Sequence, residues 1–215
     1  MAGKKIGLIR VLTTDNLELL NLHGGMIMEW FPGLDVRSEC IPDQPEGVHD
    51  DATEALAIPK VVVLAEQMEK DGAEAIVVSC AGDPGVVASK GRVGVPVIGA
   101  GRAAAHTARL LERAVGVLGI TDDVPAAVVE ILGDLMVADG IPEGVVSTLD
   151  LMKPEGMRAT VDKGRELLGR GAECLLLACT GMSTIGAAEV LRRELGVPVI
   201  DPVRAEAAAA WIAVG

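Results

Sequence analysis

Two cysteines set the chemistry open to this chain. Gly72-Ala73-Glu74-Ala75-Ile76-Val77-Val78-Ser79-Cys80-Ala81-Gly82 is echoed in the second half by Gly171-Ala172-Glu173-Cys174-Leu175-Leu176-Leu177-Ala178-Cys179-Thr180-Gly181. In each copy a thiol ends a buried-type strand where the chain turns toward a helix. A thiol near a helix N-terminus feels the positive end of the dipole and unbonded amide donors, which lower its pKa below about 8.5. Paired thiols across a cleft suit the inversion of a carbon acid: one thiolate removes a proton from one face while the opposite thiol donates to the other. Their titrations would be coupled, and a substrate carbon between them keeps them too far apart for a disulfide. Gly82 and Gly181 let the backbone approach a ligand, with neighbouring amides suited to a carboxylate or an enolate oxygen. A lone cysteine at a strand end is ordinarily a small buried hydrophobe, and recurrence in one local context is what favours chemistry. Cys174, inside its strand, and Cys40, beside Ile41 and Pro42, keep the hydrophobe reading.

The elements that must position these thiols follow from the apolar pattern. Strand-length apolar runs alternate with helix-length stretches, the pattern of a parallel sheet covered on both faces. Strands are expected over 6–12, 36–41, 75–79 and 95–98 in the first half, and over 115–120, 145–149, 174–178 and 197–200 in the second. Asp15 is expected to cap a helix running from Asn16 toward Trp30, and Pro125 to open another that Gly140 ends. Pro59 predicts a kink or a break between 51 and 70. Pro84 suits the first turn of a helix after Cys80, and Ser183 or Thr184 a cap after Cys179. Gly94-Val95-Pro96-Val97-Ile98 also returns, as Gly196-Val197-Pro198-Val199-Ile200. The fold expected is α/β, with two pseudo-symmetric lobes, each a mainly parallel sheet flanked by helices, and an active site in the cleft between them. The lobes are 1–113, with Cys80, and 114–215, with Cys179, the final helix able to pack back on the first lobe.

The 215 residues can bury a sizeable core, yet aromatics are 1% and Tyr is absent, so that core is aliphatic. A net charge of −12 argues against a nucleic-acid partner. No apolar run reaches the roughly 18 residues a membrane span needs, and the expectation is a soluble cytoplasmic protein without a membrane partner. Four cysteines with no Cys-x-x-Cys point to reduced thiols rather than a disulfide framework, and His23, His49 and His106 show no metal-ligand spacing.

The chain resembles the Asp/Glu/hydantoin racemase superfamily of cofactor-independent two-cysteine racemases. The resemblance rests on Thr13-Thr14, Ser79-Cys80-Ala81-Gly82-Asp83-Pro84-Gly85, Val95-Pro96-Val97-Ile98-Gly99 and Ala178-Cys179-Thr180-Gly181-Met182, and is nearest the hydantoin racemase branch. It implies that Cys80 and Cys179 are the two acid/base residues, that no cofactor is used, and that the substrate is a small amino acid or amino-acid derivative. It also implies that Thr14, Thr121, Ala81, Gly82, Thr180 and Gly181 line the pocket. Hydantoin racemases commonly read Asn-Pro-Asn-Thr-Thr after the first strand, where this chain has Arg10-Val11-Leu12-Thr13-Thr14. Arg10 either binds a substrate carboxylate or is a solvated edge residue.

Other readings compete. Gly99-Ala100-Gly101-Arg102-Ala103-Ala104, with Asp122 downstream, fits a dinucleotide-binding Rossmann turn, although the matching turn reads Asp201-Pro202-Val203-Arg204 and the cysteines stay unexplained. A one-cysteine decarboxylase or isomerase of the same superfamily, or a non-catalytic binding module, keeps the fold. Asp83 either orients a pocket group or, as favoured, caps the following helix. Glu74 and Glu173 are expected in solvent, and His106 on a helix surface. Alanine-rich stretches at 103–108 and 205–213 suit packing against a second subunit, consistent with a homo-oligomer.

Overall fold

Short runs of Ile, Val and Leu form two four-stranded parallel sheets across the described residues, 3–215, of a computed structural model. The chain divides into two units: one runs to Ala100 and takes in Glu206–Gly215, the other is Gly101–Ala205.

In the first unit the order is β1 (Lys4–Arg10), α1 (Leu17–Trp30), β2 (Leu34–Cys40), α2 (Asp51–Lys70), β3 (Ala75–Val78), α3 (Val86–Lys90) and β4 (Val97–Gly99). The second continues with α4 (Ala100–Arg109), β5 (Val115–Leu118), α5 (Ala126–Leu132), a 3₁₀ turn (Gly133–Leu135), β6 (Met136–Gly140), α6 (Thr148–Leu151) and α7 (Pro154–Gly169). It closes with β7 (Cys174–Leu177), α8 (Thr180–Thr184), α9 (Ala187–Leu195) and β8 (Val199–Ile200), and α10 (Pro202–Val214) returns the chain to the first unit. Strand order is β2-β1-β3-β4 in one sheet and β6-β5-β7-β8 in the other, the same winding twice.

Alternation of side chains builds the cores. In the second unit Val115, Val117, Cys174 and Leu176 face Ala104, Ala105 and Ala108 of α4 and Val128 and Leu132 of α5. Leu118, Leu175 and Leu177 face the other way, onto Leu167 of α7 and Leu191 of α9. Burial on both faces is why β3, β5 and β7 read as continuous apolar runs. In the first unit Ile9, Ile76 and Val78 pack on Ala57, Val61, Ala65 and Met68 of α2.

Several expectations are corrected. The sixth strand is Met136–Gly140, paired with β5, whereas 145–149 runs into α6, because Ser147 and Asp150 form a capping box that starts a helix. The helix after Pro125 therefore stops at Leu132, where Gly133 takes φ +54°. Pro59 lies within an unbroken α2, held down by a buried stripe from Ala57 to Met68. Asn16, not Asp15, caps α1, its side chain accepting from the amides of Glu18 and Leu19. Ala104, Ala105 and Ala108 of α4 are spent on their own unit's core and Ala207 and Ala210 of α10 are buried, whereas Ala103, Ala208 and Ala209 are half-buried and Ala213 is exposed. Glu74 and Glu173 are exposed, as expected, and each also tethers the start of a central strand, Glu74 by pairing with Lys4 at 3.0 Å and Glu173 by accepting from the Ala114 amide at 3.1 Å. Among the described residues no helix is long and apolar enough to cross a membrane.

Gly7 and Gly116 occupy matching places on β1 and β5 under α2 and α7. A Cβ on Gly116 would stand 2.9 Å from Ala172 Cβ and 3.1 Å from Leu167 Cβ, whereas on Gly7 it would meet the Met68 sulfur at 2.7 Å. Gly116→Ala and Gly7→Ala are each expected to lower unfolding free energy in urea by about 1–3 kcal/mol, because Cβ atoms that cannot swing aside, those of Ala172 and Leu167 for Gly116 and of Met68 at 3.0 Å for Gly7, crowd the added methyl.

Candidate active site

In a parallel sheet of this winding, ligand sites form beyond the carboxyl ends of the strands, where the order reverses between the two central ones. Cys80 follows β3 at that point of the first sheet, and Cys179 follows β7 at that point of the second.

On the first sheet, the Ser79 amide donates to the Ile9 carbonyl at 3.0 Å, and the Asp83 amide to the Cys80 carbonyl at 3.0 Å, so the half-buried cysteine enters a tight turn. No helix begins there. α3 starts at Val86, and its N-cap is Gly85 with no side-chain cap bond, so neither Pro84 nor Asp83 opens it. Asp83 adopts a left-handed φ of +56°, and its buried carboxylate fills the space a side chain on Gly99 would need. Ala81 is buried, while Gly82 leaves room beside the Cys80 sulfur, 3.8 Å from where its Cβ would be. Thr14 lies in the turn after β1, its hydroxyl accepting from the Asn16 amide at 3.1 Å.

Arg10 ends β1 and is only 4% exposed, so the solvated-edge alternative is excluded. Its Nη1 donates to the Leu19 carbonyl at 3.0 Å. Burial lowers the guanidinium pKa, and the negative charges of Glu206, Cys80 and Cys40 oppose that shift. Beside it runs a buried polar chain absent from the sequence-based expectations. The Ser79 hydroxyl donates to Glu206 Oε1 at 2.6 Å, and its oxygen lies 2.8 Å from His23 Nδ1. Burial, then the charge of Arg10, holds the His23 imidazole well below its usual range. The only sequence cue was a single glutamate inside the alanine run of α10.

On the second sheet, Cys179 is itself the N-cap of α8, so Ser183 and Thr184 do not cap. The amides of Gly181 and Met182 bond to its sulfur, and the Thr148 hydroxyl lies 4.0 Å away. Burial outweighs these contacts and pushes the thiol up, against the sequence-based expectation of a lowered pKa. The reason is its apolar surroundings, Leu151, Leu177 and Met182 among them, with only a five-residue helix behind. A Cβ on Gly181 would collide with the Thr148 methyl, which is how α6 comes to seal this corner. Thr180 is the first residue of α8, and Thr121, in the loop after β5, donates to the Asp123 carbonyl at 2.7 Å. Ser183 donates to Asp201 Oδ1 at 2.8 Å, and that carboxylate also accepts from the amides of Val203 and Arg204 at the start of α10. In the first unit the acid stands on the post-cysteine side, as Asp83 against Gly99. In the second it stands across the contact, as Asp201 against Ser183.

The glycines of the dinucleotide-like turn have a different cause: Gly99 ends an edge strand and makes way for Asp83. The next strand, β5, belongs to the other sheet, so no βαβ unit surrounds the motif. Cys174 is buried in the core with its sulfur 3.7 Å from the Ala114 carbonyl, and Cys40 donates to the Thr14 carbonyl at 3.8 Å.

Because the folded-state pKa of Cys179 is raised, its stabilising effect is full below the unfolded value and is lost as pH rises through the folded one. Alkylation of Cys179 by iodoacetamide, followed by peptide mass spectrometry, is expected to show a pH midpoint above the ordinary 9.0. A midpoint below that value would contradict the burial described.

Comparison with known proteins agrees with this architecture. The chain is 29% identical over 176 residues to hydantoin racemase of Pseudomonas sp. (strain NS671), covering 74% of this chain and 66% of that protein. It is 31% identical over 173 residues to hydantoin racemase of Rhizobium meliloti, covering 76% and 69%. The matched part thus spans about two thirds of the length of these relatives. Allantoin racemase from Klebsiella pneumoniae shares the fold, with a TM-score of 0.82 and 23% identity over 97% of this chain and 86% of that one. Residues 34–210 match the family model described as Asp/Glu/Hydantoin racemase, and the chain belongs to that family.

Proposed function

We propose that this protein is a racemase that inverts the α-carbon of a small cyclic amino-acid derivative of the hydantoin type, with Cys80 and Cys179 as its two proton-transfer residues. The observation that carries the proposal is the equivalence of the two thiols: each follows the matching central strand of its sheet at the reversal of strand order. In this reading the two cysteines address opposite faces of one substrate carbon. A thiolate takes the α-proton, forming S–H as the C–H bond breaks, and the electron pair moves into the adjacent carbonyl as an enolate. The other thiol then delivers its proton to the opposite face, and the two sulfurs exchange protonation states. Burial of Cys179 suits it to the protonated role at rest.

A ring substrate is favoured over a free dicarboxylate by the state of Arg10. Its guanidinium is buried, donates to the Leu19 carbonyl, and lies in the field of Glu206, so it is engaged within the chain rather than offered to a carboxylate. The curated relatives are named hydantoin racemases, in line with that choice. Gly82, with Ala81, is the position whose backbone would approach a ring carbonyl, whereas the space at Gly181 is taken by the Thr148 methyl, and Thr14, Thr121 and Thr180 are the hydroxyl-bearing residues that the family resemblance implies for the pocket.

Incubated in deuterated water with one enantiomer of a 5-substituted hydantoin and no added cofactor, the protein is expected to remove the α-proton signal in proton NMR as optical rotation falls to zero. Cys80→Ala and Cys179→Ala should each reduce racemisation by about 10²- to 10⁴-fold. Full racemisation in both single variants would overturn the two-thiol reading.

A further inference from the structure

Four side chains that no proton-transfer role requires meet behind Cys80. Arg10 ends β1, and Ser79, bonded through its amide to the Ile9 carbonyl, emerges next to it on β3's continuation. Glu206 reaches in from α10 and His23 from α1, and both are fully buried. The Ser79 hydroxyl has one proton, and it is directed to Glu206 at 2.6 Å; the 2.8 Å contact to His23 is therefore donated by Nδ1–H of a neutral imidazole. A buried guanidinium is costly without a counter-ion, and of the negative charges acting on Arg10 that of Glu206 is felt most strongly, ahead of Cys80 and Cys40.

We infer that Arg10 and Glu206, with the bonded chain of His23, Ser79 and Glu206 lying beside the guanidinium, form a buried charge balance that positions Cys80 and sets how readily its thiol loses a proton. This rests on the reading of Cys80 as a proton-transfer residue. The arrangement has a sign. Arg10 favours the thiolate, and Glu206 tempers Arg10. The other titratable groups facing this corner are Cys40 at the end of β2, neutral His23 of α1, and Asp83, whose carboxylate is turned onto Gly99. A network that only stitched α1, β1 and α10 together would weaken folding in any variant, but it would not shift the thiol in opposite directions.

The test is the pH dependence of iodoacetamide alkylation at Cys80, resolved from the other cysteines by peptide mass spectrometry and run without substrate. Glu206→Gln keeps an acceptor for Ser79 and removes the negative charge, and its midpoint is expected to fall by about one pH unit. Arg10→Gln is expected to raise it by about as much. Should the charge left uncompensated prevent either single variant from folding, the Arg10→Gln/Glu206→Gln double variant leaves none. Its midpoint is expected above that of the parent protein, because Arg10 is the charge that acts on Cys80 directly. Midpoints that stay with the parent's, or move in the wrong direction, would overturn the inference. Loss of α-proton exchange with the midpoints shifted as expected would instead count against the racemase reading and leave this one standing.

Discussion

Parallel strands can share a sheet only if every connection crosses over, and at the place where crossovers change side no helix covers the ends of the two middle strands. Both sheets of this chain have that place, between β1 and β3 and between β5 and β7. The pairing of Ile9 with Val78, and of Leu118 with Leu177, brings neighbouring strands to a stop at nearly one level. Side chains just past those pairs therefore emerge together: Arg10 with Ser79 and Cys80 on one sheet, and the segment entering α8 on the other. The polar groups of interest follow from this register, and the aliphatic core beneath is what keeps the register from slipping.

The two cysteines share a position and differ in environment. Cys179 is wrapped by leucine, methionine and two amides, a dry setting in which the neutral thiol is preferred. Cys80 is half-buried beside an arginine and a chain of polar side chains that reaches a buried carboxylate. Environments that push two like groups apart in acidity are a common means of dividing acid from base. The residues before the two cysteines differ as well: Ser79 has a hydroxyl that bonds to Glu206, and Ala178 has none.

Much of this was legible beforehand where local signals were strong. The repeated phrase around the cysteines located both central strands, and seven of the eight expected strands overlap those found. Failure came where an apolar run competed with a cap. Val145 and Val146 suggested a strand, yet Ser147 and Asp150 close a capping box, and the helix they start delivers Thr148 to Cys179. The fall in pKa expected of Cys179 assumed that an adjacent helix dominates, but five residues carry little dipole and the desolvation cost is larger. The polar chain behind Cys80 could not be read from the residues alone, since His23, Ser79 and Glu206 lie on three separate elements and only tertiary packing makes them neighbours.

The crossed placement of one carboxylate, Asp83 in the first unit and Asp201 in the second, limits what the two units could exchange. An acid on both sides of that contact would set two anions against each other, and an acid on neither would leave the loop untied. Each unit has a single acid there, on a different side. Transplanting the segment after Cys80 in place of the one after Cys179 would bring a second carboxylate toward Asp201, so the two segments are not interchangeable parts even though the two sheets share one strand order.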